Sequence, residues 1–80
     1  MAAEEGRLRE CVEIARRYAG LLARLEDMGV SRRRVLADLA EFARADPGRF
    51  REALRLWVEA RRLRGRLIAC AREAYAPEVF

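Results

Sequence analysis

Every cationic side chain in this sequence is an arginine: seventeen stand against thirteen acids, with no lysine and no histidine. Arginine keeps its proton at any ordinary pH, so it cannot serve as a general base. Its planar fork of donors does pair with phosphate or carboxylate through two parallel hydrogen bonds. The chemistry on offer is recognition of anions rather than turnover. Threonine is absent, and the single serine, Ser31, has no base to activate it. Asp38 and Glu41 share a helix face and are the nearest approach to an acid–base pair, but beside arginines such a pair reads as a solvated surface. No glycine-rich loop is present to cradle a nucleotide. No enzyme is expected, and with it no cofactor and no small-molecule substrate.

The arginines are unevenly placed. Residues 1–30 hold five against six acids, a balance of −1, and residues 31–80 hold twelve against seven, a balance of +5. Two groups stand out. Arg51, Arg55, Arg62 and Arg66 fall on one side of a helix, a line about 22 Å long at 1.5 Å per residue. Arg32, Arg33 and Arg34 form a run. Together they make a candidate phosphate-binding surface for DNA or RNA, one that gives affinity without reading bases. Glu52 and Glu59 flank the line and weaken that expectation.

These residues must be positioned by helices. Alanine, leucine, arginine and glutamate make up about two-thirds of the chain, the composition of an all-α protein. The first helix is expected over about 4–28, where Leu8, Cys11, Ala15, Tyr18, Leu22 and Leu25 step three and four residues apart like a coiled-coil seam. Gly29 supplies a left-handed cap, and Val30 covers the last turn. A second helix, over about 32–45 and capped by Ser31, buries Val35, Leu36, Leu39, Ala40, Phe42 and Ala43. This places three arginines in its first turn, where the helix dipole disfavours cations. Asp46 caps a third helix over about 47–75, with Pro47 in the first position, where its missing N–H costs nothing. The expected fold is one domain over residues 1–80: an all-α, three-helix bundle whose third helix is long.

Both connections are short, which favours antiparallel neighbours and an up-down-up bundle. In that layout the first and third helices run parallel, and Cys11 and Cys70 lie too far apart to bridge. They then serve as two buried apolar residues. If the second helix is instead a crossover and the long helices lie antiparallel, the cysteines come level and a disulfide is open to them. Two cysteines without histidine are too few for a metal site.

The segment Gly29-Val30-Ser31-Arg32-Arg33-Arg34-Val35-Leu36-Ala37-Asp38-Leu39 resembles the turn and recognition helix of bacterial and archaeal helix-turn-helix repressors. In that family a glycine makes the turn, a serine caps the recognition helix and the polar residues after it meet DNA. The resemblance covers eleven of the eighty residues. It implies that Arg32, Arg33 and Arg34 contact the groove or its phosphates, and that Val35 and Leu39 are buried.

The third helix is apolar over about half its circumference. Ala53, Leu56, Ala60, Leu63, Leu67, Cys70 and Ala74 form one stripe. Phe50, Leu54, Trp57, Ile68, Ala71 and Tyr75 form another, interrupted by Arg61 and Arg64. Two neighbours cannot readily cover that arc, so a homodimer or higher oligomer is expected. Its interface would draw on Phe50, Leu54, Trp57, Leu63, Leu67, Ile68 and Tyr75, with Val79 and Phe80 reaching the core or another subunit. The alternative function is thus an oligomeric scaffold or protein-interaction module with no nucleic-acid contact. Met1 to Arg9 lacks an apolar run, and no uncharged stretch approaches the roughly 20 residues of a membrane span, so a soluble, cytoplasmic protein is expected. Missing Asn and Gln fit a thermophile, and the exclusive use of arginine fits a GC-rich genome.

Overall fold

The computed structural model describes residues 2–74, with side chains from Gly6 onward. Three helices follow in order: α1 over Ala2–Asp27, α2 over Val35–Ala45 and α3 over Pro47–Ala74. The expected all-α, three-helix architecture with a long third helix is the one observed. Tyr75, Val79 and Phe80 lie outside the described residues.

The arrangement of the long helices differs from the up-down-up expectation. Cys11, early in α1, is bonded to Cys70, late in α3, with Cα atoms 5.7 Å apart. Arg7 pairs with Glu73 at the same end. At the opposite end Leu22 and Leu25 of α1 share a core with Ala53, Leu56 and Ala60 of α3. The two long helices are therefore antiparallel, and the cysteines are a disulfide rather than two separate buried thiols. Helix length explains the layout. With 11 residues, α2 is too short to carry the chain back along the 26 residues of α1. The 28-residue α3 begins beside the end of α1 and can match its apolar stripe along the full length only by running back.

The loop between α1 and α2 closes as its glycine dictates. Gly29 has φ +99°. Its N–H donates to the carbonyl of Glu26 at 2.9 Å, and the N–H of Val30 donates to that of Leu25 at 2.8 Å. This is the paired hydrogen-bond pattern of a Schellman cap, in which the residue after the glycine packs back on the last turn. Val30 (1% exposed) and Leu25 (2%) are both buried in the core.

Helix α2 begins three residues later than expected. Its N-cap is Arg34, which makes no side-chain capping bond. The Ser31 hydroxyl instead accepts from the N–H of Arg33 at 3.3 Å, and the Ser31 N–H donates to the Asp38 carboxylate at 2.9 Å. These bonds hold residues 31–34 in a turn. Arg32 and Arg33 are therefore outside α2, clear of the like-signed helix terminus. Asp46 ends α2 and starts α3: its N–H donates to Phe42, and its carboxylate accepts from Arg49 N–H at 3.2 Å. Asp46 alone makes the connection, and Pro47 already opens α3.

Helix α3 is the element that touches both others. Because α2 packs chiefly on α3, with Phe42 also against the Gly29 loop, it buries a narrow face. Leu39 is enclosed and Val35 and Phe42 are half-buried, whereas Leu36, Ala40 and Ala43, expected in the core, are exposed. Leu36 is 76% exposed. The molecule is a flat strap, 52 × 21 × 15 Å.

Candidate nucleic-acid interface

The outward face of α3 follows from what its inward face must bury. At 100° per residue, Ala53, Leu56, Ala60, Leu63 and Cys70 lie on one side, and all five are buried. Leu54, Val58, Gly65 and Ala69 fall on the opposite side, and all four are exposed. Flanking this ridge are Arg55, Arg62 and Arg66 on one edge and Arg61 and Arg64 on the other, also exposed. Arg51 and Arg72 stand near its two ends. The helix carries eight arginines against three glutamates, so the ridge sits in a field of positive charge.

Of the line foreseen in the sequence, two members are held by acids. Arg55 donates to both carboxylate oxygens of Glu52, at 2.7 and 3.4 Å, and Arg62 lies 3.6 Å from Glu59. The Arg55 hydrogen bond holds the Glu52 carboxyl below its ordinary range, with the nearby charges of Arg55 and Arg24 acting in the same direction. The same bond raises Arg55 further. Both pairs are exposed, where ion pairing is weak and a phosphate can compete for the guanidinium. Among the described residues, no acid lies within ion-pair distance of Arg51 or Arg66. Arg51, Arg55, Arg62, Leu54, Val58 and Glu59 line one shallow groove on the back of α3.

Arg61 and Arg64, which would need acid partners if buried, are instead exposed. The Arg61 guanidinium lies over the Trp57 ring, 6.0 Å from its centre, which keeps it at the edge of the ridge. In the turn before α2, Arg32 lies 3.2 Å from Glu26. Arg33 and Arg34, in the same turn, are exposed.

The residues expected at an oligomer interface divide. Leu63 is 2% exposed and spent in the chain's own core. Phe50, Trp57 and Leu67 are half-buried, the first two against the core cluster. Leu54 and Ile68 point outward at 38% and 43% exposure. Val58, 58% exposed, belongs to this outward surface and was not singled out in the sequence. An apolar residue standing just beside Arg51 and Arg62 on the helical wheel was the signal for it.

Among the described residues no group of acids and cysteines could hold a metal ion, and no helix is long and apolar enough to cross a membrane. No match is found among protein-family models, curated proteins or solved structures.

Proposed function

We propose that this protein is a small, non-catalytic nucleic-acid-associated protein that binds phosphates through the arginines on the outward face of α3. The observation that carries this reading is the sorting of charge on that helix. Seven arginines (Arg51, Arg55, Arg61, Arg62, Arg64, Arg66 and Arg72) stand exposed away from the core. Glu73, the acid farthest along the helix, is engaged by Arg7. Arginine forks pair with phosphate oxygens, and each neutralised phosphate releases counterions, so such a face gives affinity without reading bases. The exposed turn residues Arg33 and Arg34 add further cations outside α3.

Glu52 and Glu59 act as internal competitors for this site. Replacing both, Glu52→Gln with Glu59→Gln, frees Arg55 and Arg62 and removes two negative charges from the approach. Affinity for a nucleic acid at low salt should rise about tenfold, with little change in folding stability. Unchanged affinity in an anisotropy titration of this variant would remove α3 as the contact.

A second reading, an oligomeric interaction module, is favoured by one feature of α2. Leu36, Ala40 and Ala43 form an exposed stripe at helical spacing, a surface the described residues leave uncovered. Light scattering at rising concentration tests it: a constant monomer mass would count against it.

A further inference from the structure

We infer that the nucleic acid held by α3 is duplex DNA, with the ridge Leu54–Val58–Gly65–Ala69 laid in the major groove; this rests on the phosphate-binding reading above. Three observations support it. The first is the placement of the arginines in two rows rather than one. Arg55, Arg62 and Arg66 lie on one flank and Arg61 and Arg64 on the other, roughly 150° apart around the helix at 100° per residue. A single nucleic-acid strand needs one row of cations. Two rows on either side of a neutral ridge match two phosphate backbones on either side of a groove.

The second observation is the ridge itself. It is uncharged from Leu54 through Val58 to Gly65 and Ala69, and exposed throughout, with 38% at Leu54 and 58% at Val58. A helix with its side chains is about 10–12 Å across, and the major groove of B-form DNA is about 12 Å wide, so the helix fits with arginines reaching each wall. Exposed Leu54 and Val58 are of the kind that contact thymine methyl groups on the groove floor. α1 packs against the opposite, buried side of α3, so the ridge is free to enter a groove.

The third is Gly65. A glycine inside a helix weakens it by about 1 kcal/mol relative to alanine. A Cβ built at Gly65 meets no heavy atom within 4 Å, as at Gly20 of α1, so packing among the described residues calls for neither glycine; Gly65 differs in lying on the ridge. Its place on the ridge, between the two arginine rows, makes it the point where a duplex comes closest to the helix backbone. The deep, narrow major groove of A-form RNA does not admit a helix, so the geometry also selects DNA over double-stranded RNA.

The test compares three probes of one sequence and equal length: a B-form DNA duplex, the corresponding RNA duplex and the single DNA strand. Each is titrated with the wild-type protein and with Gly65→Leu at low salt. The wild type should bind duplex DNA about tenfold or more tighter than either other probe. Gly65→Leu should weaken duplex DNA binding about tenfold while leaving single-strand binding unchanged, since the added side chain stands in the groove. The variant keeps its fold, because the position is open and leucine is the better helix former; circular dichroism checks this. Equal binding of all three probes, tightest binding to the RNA duplex, or indifference to Gly65→Leu overturns the groove assignment while leaving phosphate binding in place. No binding to any probe overturns the phosphate-binding reading itself.

Discussion

Gly29 and Glu52 show how much single residues decide here. At Gly29 the backbone has φ +99°, and an added Cβ would meet the Phe42 ring at an ordinary 3.5 Å. The cost of Gly29→Ala is therefore conformational rather than steric, about 1 kcal/mol or somewhat more. A lowered denaturation midpoint with an unchanged m-value checks it. Glu52 governs pH behaviour. Its folded pKa is depressed, so its pairing with Arg55 adds stability above the unfolded pKa, and this is lost as pH falls through the folded value. That window lies below the usual carboxylate range. The chain has no histidine and both cysteines are in a disulfide, so it lacks the side chains that ordinarily switch charge near neutral pH. Nucleic-acid affinity should be flat between about pH 5 and 8 at fixed salt. A transition near neutral pH would mean a titrating group outside this account.

Among the elements, the pair α1 and α3 depends on its covalent clamp. The main core lies toward one end, around Leu25, Val30, Leu39, Leu56 and Ala60. Toward the other end α3 buries Leu63 and Cys70, beside a half-buried Leu67. Two helices alone bury little apolar surface, and the disulfide supplies what packing there does not. It closes a loop with a sequence separation of 59 residues, for which chain entropy predicts about 4 kcal/mol of stabilisation and engineered cases often give less. Reduction, or Cys11→Ser with Cys70→Ser, should cost about 2–4 kcal/mol. Hydrogen exchange should rise first at the Cys11 and Cys70 end, while Leu25 and Leu56 stay protected. Uniform loss of protection would contradict a core confined to the other end. The three helices, the Gly29 cap and the Asp46–Pro47 junction were legible in the sequence because each rests on local spacing and backbone chemistry. The antiparallel layout was not, because it depends on how far α2 can carry the chain. The later start of α2 rests on a seven-residue reach from Ser31 to Asp38, which no local rule for a serine cap foresees. On the candidate site, the row Arg51, Arg55, Arg62 and Arg66 was legible from the wheel. Its second row was masked, since Arg61 and Arg64 interrupt an apolar stripe and only burial shows that they stand outside the core.

The whole molecule is a thin, positively charged strap, 52 Å long and with a formal charge of +4. Its inner seam is consumed by folding, and its outer helix face is left to arginines and a narrow neutral ridge. On the function proposed above, association with a polyanion through this face must depend steeply on salt. The most direct test of this is the slope of log affinity against log salt concentration for a DNA duplex, measured for the wild type and for Arg55→Ala with Arg62→Ala. Each phosphate contact contributes about −0.9 to that slope. The wild type should give about −4 to −6, and the double variant should be shallower by about two while keeping its helical content. A wild-type slope near zero, or one that the double variant leaves unchanged, would contradict the assignment of α3 as a phosphate-binding face.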